Sequence, residues 1–257
     1  MRSVQGMKKE RIRMDRSFEE AARDIQMAEV LSSGIGTLSE KSVHAVLKRY
    51  LDPDPSHQEV PLLGYICDIF DGKGITEIQT ANFQVLNRKL DVFLPEYPVE
   101  VVHPIPHSKT LMWIDPETGE VSKPRKVSKK GTVYDAFREL YRIRTYLGHP
   151  NLRVSLFLID LEEYRFLDGW SRDRKRGSHR AERIPTALYD VVSFSSADDY
   201  RQLIPDSLDD VFTAAQFRKA AKVSDRAAGT GIALLMQLSL VERIGKEGRA
   251  YLYRRCQ

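Results

Sequence analysis

Apolar residues in the stretch TLSEKSVHAVLKRYL recur at helical spacing, with Leu38, Val43, Val46, Leu47 and Tyr50 on or near one face. Thr37 or Ser39 would cap this helix, and DPDPS ends it, because proline breaks the ladder of backbone hydrogen bonds. The period then changes. HQEVPLL, YICDIF and GITEIQT are strand-like runs separated only by LG and DGKG. A parallel connection needs a dozen or more residues, so linkers this short predict an antiparallel meander. Beyond it, ANFQVLNRKLDVFL and TVYDAFRELYRIRTYLG predict amphipathic helices, and VEVVHPI and KTLMWID predict strands. LRVSLFLIDLEEYRF is a strongly apolar run that reads as a strand at the sheet centre. Together these elements predict an α/β protein, a mixed sheet flanked by helices.

The two ends have a different texture. Residues 1–36 are polar and charged, and SFEEAARDIQMAEVL has only a weak helical period, so this segment reads as an accessory helix or arm. Residues 37–204 carry the α/β pattern. From 205 to 257 the order is a short helix, a turn at KVS, a longer helix, and a two-stranded ribbon turning at KEG. That is the order of a winged helix, whose second helix commonly enters a nucleic-acid groove; Arg226 lies on the corresponding helix here.

With 257 residues and 42% hydrophobic content, the chain can bury one sizeable core and a small second domain. Cys67 and Cys256 form neither a disulfide framework nor a CxxC metal pair, which points to a reducing, cytoplasmic compartment. No apolar run approaches the ~18 residues of a membrane span, and the charged N-terminus does not read as a signal peptide, so a soluble protein without a membrane partner is expected. Self-association is left open by the sequence. The net charge of +4 is unevenly spread, with basic runs at Lys123 to Lys130 and Arg172 to Arg183. Lys123, Arg125, Lys126, Lys129, Lys130, Arg174, Lys175 and Arg176 are therefore candidates for contact with a polyanion, nucleic acid above all; the alternative is a pair of solvated loops.

The candidate chemistry lies in the meander. With Gly72 and Lys73 at the centre of the DGKG turn, register pairs Phe70 with Ile75 and Asp68 with Glu77. Like charges directly opposed on neighbouring strands are destabilising, so something must offset the repulsion. If the preceding hairpin turns on Leu63 and Gly64, Glu59 joins the row. A hard divalent cation would answer the repulsion, Mg²⁺ or Mn²⁺ with oxygen ligands; so would a raised pKa on one carboxylate, or an inserted Lys or Arg. His44 reads as a packed residue, and His57, His103 and His107 lack the i, i+4 spacing of a helical zinc site.

Glu40 in a helix, Asp68 in an apolar strand and the EIQ of Glu77, Ile78 and Gln79 in the next strand, followed by a helix, resemble the core of the PD-(D/E)xK nuclease superfamily. The wider pattern SVHAVLKRYL, HQEV, YICDIF, GITEIQT, FQVLNRKL is similar to an uncharacterised bacterial branch of it, over about Leu38 to Asp160. The resemblance implies a restriction-endonuclease-like core and metal-dependent hydrolysis of DNA. It implies Asp68, Glu77 and the carbonyl of Ile78 as ligands of Mg²⁺ or Mn²⁺, with Glu40 adding one directly or through water. Where that superfamily has lysine, this chain has Gln79, which could orient a water but not stabilise charge. Lys89, expected three turns into the following helix, is the candidate substitute. The alternative is a nuclease fold that has lost activity and serves in DNA binding or protein interaction.

Overall fold

A computed structural model of the chain describes residues 17–27, 41–168 and 177–256. Glu40, the capping candidates Thr37 and Ser39, and the basic candidates Arg174, Lys175 and Arg176 lie outside the described residues. The protein is a mixed α/β structure. Its helices are α1 (17–27), α2 (Lys41–Leu51), α3 (Asn87–Phe93), α4 (Phe137–Arg142), α5 (Ala214–Ala221) and α6 (Asp225–Gln237). Its strands are β1 (Gln58–Leu62), β2 (Tyr65–Phe70), β3 (Ile75–Ile78), β4 (Val99–Ile114), β5 (Arg125–Lys126), β6 (Leu152–Phe166), β7 (His179–Phe194), β8 (Val211–Thr213), β9 (Val241–Glu247) and β10 (Ala250–Arg255). The larger sheet has the order β1-β2-β3-β4-β6-β7, with β5 also paired to β4; the smaller has the order β8-β10-β9.

The meander forms as its turn chemistry dictates. Leu63 and Gly64 both have positive φ, 50° and 83°, the requirement of the tight mirror-image turn that matches strand twist. At the second turn Gly72 takes φ 81°, and Asp71 Oδ1 accepts from the amides of Lys73 at 2.8 Å and Gly74 at 2.9 Å. Phe70 then faces Ile75 and Ile69 faces Thr76 in antiparallel register. On its other side β3 pairs parallel with β4, Glu77 opposite Val101 and Ile78 opposite Val102. The segment between them, carrying α3, supplies the crossover that a parallel pair needs.

Three expected elements differ: the helix expected from TVYDAFRELYRIRTYLG opens as a 3-10 turn at Val133–Ala136 and is α-helical only over Phe137–Arg142. The helix expected from ANFQVLNRKLDVFL begins as a 3-10 turn at Phe83–Leu86 and becomes α-helical only at Asn87. VEVVHPI and KTLMWID are one continuous strand, β4, despite Pro104 and Pro106. The Val102 carbonyl accepts from the Gln79 amide where β3 ends, and Pro104 stands two residues farther on the same hydrogen-bonding side. Its missing N–H therefore falls beyond the end of β3 and costs that pair no bond.

The described residues cluster into two compact units, each drawn from three segments. One takes the described residues within Met1–Gln58, Pro106–Gly131 and Phe157–Val191; the other takes those within Glu59–Ile105, Thr132–Leu156 and Val192–Gln257. In the first, Phe18 of α1 meets Tyr50 of α2 edge-on at 5.3 Å, and Tyr50 meets Phe157 of β6 at 6.3 Å. In the second, Phe83, Leu86, Leu90 and Phe93 are buried, which fixes one face of α3 inward. The Val192–Gln257 segment opens with β8 and a capping box of Thr213 and Gln216 on α5, and α6 starts from a Ser224 cap. Helix α6 packs against α4, where a Cβ added to Gly231 would meet the Phe137 ring at 2.7 Å. The ribbon β9–β10 closes across Gly248 and Arg249.

Candidate functional site

Continuing the β2–β3 register places Asp68 opposite Glu77, as the turn chemistry requires. The two carboxylates do not meet in open water. Glu77 shares the face of Ile75 and is only 3% exposed. Asp68, half-buried, turns Oδ2 onto the backbone amide of Ile78 at 2.7 Å, the residue beside Glu77. Both oxygens of Glu77 accept from Lys89 Nζ, at 2.9 and 2.7 Å, and the same ammonium donates to the Ile66 carbonyl at 2.7 Å.

Lys89 reaches this position because of how the chain returns after β3. Asn82 adopts a left-handed conformation, φ 57°. The amide of Phe83 donates to Glu139 Oε2 at 2.8 Å, and Arg142 holds both Glu139, at 2.9 Å, and the Asn82 side chain, at 3.0 Å. The reversal puts Lys89 in the first turn of α3, not three turns along it, three residues after the buried Leu86 and so at the edge of the helix's apolar face. A flexible four-carbon stem then carries the charge to Glu77.

Burial pushes the Glu77 carboxyl up to about 7, the Lys89 hydrogen bond pulls against that, and the Asp68 charge adds to it. An inserted lysine and a raised carboxyl pKa, both considered from the sequence, thus occur together here. Cys67, buried beside Asp68, is pushed up to about 11, first by burial and then by the Glu77 charge, which keeps it a thiol.

Gln79 leaves the strand immediately after Ile78, so it does not share the strand face of Glu77. Its side-chain amide donates to the Ala81 carbonyl, and its own carbonyl lies 2.7 Å from His103 Nδ1. His103 is buried against the Phe83 ring, and burial holds its pKa below the ordinary value. Glu59 sits on β1, and one of its carboxylate oxygens lies within 4.8 Å of one from Asp68. Asp68 and Glu59 bring carboxylate oxygens together, the donor type a hard divalent cation takes, while both oxygens of Glu77 are held by the Lys89 ammonium, which an ion would have to displace to recruit Glu77.

The basic candidates are distributed differently. Lys123, Arg125, Lys126, Lys129 and Lys130 are all exposed, and Arg125 and Lys126 form β5 opposite Leu111 and Thr110 of β4. Arg226 is exposed in the first turn of α6. The sequence reading passed over the ribbon, where Arg243 and Lys246 each approach the Tyr251 ring at 4.7 Å. The cue was present as basic residues recurring through VERIGKEGRAYLYRR on both sides of a glycine turn.

Residues 41–195, which include the hairpin, Lys89 and the whole of β4, β6 and β7, match the family described as Domain of unknown function (DUF8091), and the chain belongs to that family. An uncharacterized protein of Treponema pallidum (strain Nichols) is 28% identical over 228 residues, spanning 86% of this chain and 87% of that relative. No solved structure matches the chain. Among the described residues no helix is long and apolar enough to cross a membrane.

Proposed function

We propose that the chain is a metal-dependent nuclease of the PD-(D/E)xK type, hydrolysing phosphodiester bonds in DNA on a restriction-endonuclease-like core, with its C-terminal segment acting as a winged helix. The single observation that carries this reading is the ammonium of Lys89, brought from a following helix onto Glu77 beside Asp68. It supplies the cation that Gln79 cannot, at the carboxylate pair the superfamily resemblance selects.

Asp68 and Glu77 would hold Mg²⁺ or Mn²⁺ with the Ile78 carbonyl and Glu59 as further oxygen donors. When bound, the ion would activate a water and neutralise phosphate charge. Lys89 stands by to stabilise charge on the phosphate, and Glu77, with its carboxyl near neutrality, can give up a proton as the site fills. Lys123, Arg125, Lys126, Lys129, Lys130 and Arg226, with Arg243 and Lys246 of the ribbon, would contact phosphates and position the duplex.

One observation favours a second reading, a nuclease fold retained for DNA or protein binding without cleavage. The Gln79 amide is engaged with Ala81, inside its own turn, instead of facing the carboxylates. Incubation of the protein with single-stranded, duplex and branched DNA in Mg²⁺ or Mn²⁺ separates the two. Cleavage that disappears in Asp68→Ala supports the nuclease; binding without cleavage of any substrate supports the alternative.

A further inference from the structure

We propose that Lys109, Arg165, Arg180 and Arg183, gathered around the buried carboxylate of Glu163, form a binding site for a phosphate group. The five residues come from β4, β6 and β7, consecutive in the sheet order. Glu163 is completely buried, 0% exposed. Its Oε1 accepts from Arg165 Nε at 2.7 Å and lies 2.5 Å from Arg165 Nη2. Its Oε2 accepts from Arg183 Nε at 3.0 Å, with Arg180 Nε at 3.8 Å. Lys109 is half-buried and within electrostatic reach of Glu163 and all three arginines.

A buried carboxylate is compensated well by one bidentate arginine. Here Lys109, Arg165 and Arg183 stand against the single Glu163 carboxylate, with Arg180 at 3.8 Å, so more cationic than anionic groups face it. Burial together with the neighbouring arginines holds Lys109 below the ordinary lysine range despite the attraction of Glu163. The asymmetry of exposure gives the excess a direction. Glu163 offers no surface to solvent, while the side chains of Arg165, Arg180 and Arg183 are 27%, 39% and 23% exposed. Of the five residues, only those bearing guanidinium or ammonium donors reach solvent. Planar guanidinium forks match the oxygens of a phosphate, and Glu163 is the positioning residue that holds two of them in place.

The phosphate could belong to a nucleic-acid backbone or be free; the recognition chemistry is the same. The proposal is independent of the metal-dependent reading, and its test is run on the full chain in EDTA. Inorganic phosphate and chloride are compared at matched ionic strength by thermal shift and calorimetry, for wild type and the Lys109→Gln, Arg180→Gln double variant, which keeps both Glu163 hydrogen bonds. Phosphate should raise the wild-type Tm above chloride, and the variant should bind phosphate roughly tenfold or more weakly, as expected for lost charge-assisted hydrogen bonds. If the double variant does not fold, Arg180→Gln alone serves, its side chain being the most exposed of the three arginines. A duplex oligonucleotide titrated across salt identifies the source: a salt slope smaller by about one to two in the variant assigns the site to backbone phosphates, and an unchanged slope with lost inorganic phosphate binding assigns it to a free phosphate. Equal wild-type Tm in phosphate and chloride, or equal phosphate affinity in wild type and variant, overturns the proposal.

Discussion

Glu77→Gln isolates the carboxylate on which the site turns. In the folded protein burial raises the Glu77 carboxyl from its ordinary value of 4.5 to about 7, even with Lys89 in contact. At about 1.4 kcal/mol per pH unit, that difference corresponds to on the order of 3 kcal/mol between the protonated and ionised extremes. The sign follows from proton counts. Between the unfolded and folded pKa values the native state binds more protons than the unfolded chain, so stability falls as pH rises through that window. The contribution of Glu77 is therefore fully present below about pH 4.5 and lost as pH climbs through about 7.

The amide that replaces this carboxyl in the variant cannot ionise and is close to it in size. Equilibrium urea unfolding at intervals from pH 5 to pH 8, metal-free, should show wild type losing on the order of 3 kcal/mol relative to Glu77→Gln across that range. Other groups that titrate there, among them buried His103, are common to both proteins and cancel in the difference. A wild-type minus variant difference that stays flat from pH 5 to pH 8 would refute the claim that Glu77 is a desolvated carboxyl.

Other expectations follow from the same geometry. Mn²⁺ should raise the wild-type melting temperature by mass action, more at pH 8 than at pH 5 because protons compete for Glu77; a shift that persists in Asp68→Asn, Glu77→Gln would remove the metal from this site. In a cleavage assay Lys89→Ala should slow turnover by roughly 10²-fold, the scale for loss of one positioned electrostatic group, while Gln79→Lys should retain or increase it; equal rates in all three proteins would displace Lys89 from catalysis. Gly231→Ala drives a methyl into the Phe137 ring, so thermal or urea unfolding should show a loss of about 1–3 kcal/mol despite the better helix propensity of alanine; an unchanged or raised stability would show that α4 and α6 can separate at no cost.

The hairpin was legible in the sequence because two tight turns leave almost no choice of register. LG and DGKG each fix which residues face one another, and from Phe70 opposite Ile75 the Asp68–Glu77 pair follows by counting. The mixed sheet was legible for a related reason: the tight turns force antiparallel pairs, while the helix-bearing segment between β3 and β4 is long enough to allow the parallel pair that forms. Strand ends were not. The EIQ run places Gln79 in the strand with Glu77, yet β3 stops at Ile78, and only the three-dimensional path of the turn tells the Gln79 amide to close on Ala81.

The Glu163 cluster shows the deeper limit. Arg180 and Arg183 belonged to a run that reads as a solvated basic loop, since a dense charge run has no hydrophobic period. They instead stand on β7, and they find Glu163 of β6 only because β6 and β7 are neighbours in the sheet order. β6 and β7 are consecutive strands and Arg183 lies only 20 residues from Glu163, but the charge run between them carries no hydrophobic period or tight turn from which the register could be counted. Lys89 lies between these cases. Its contact with Glu77 spans only 12 residues and one reversal, and its place beside the Leu86–Leu90–Phe93 face already aims it toward the sheet. The distance in sequence over which a contact must be specified, more than the chemistry of the residues, decides which half of this protein's charge arrangement could be read before its fold was known.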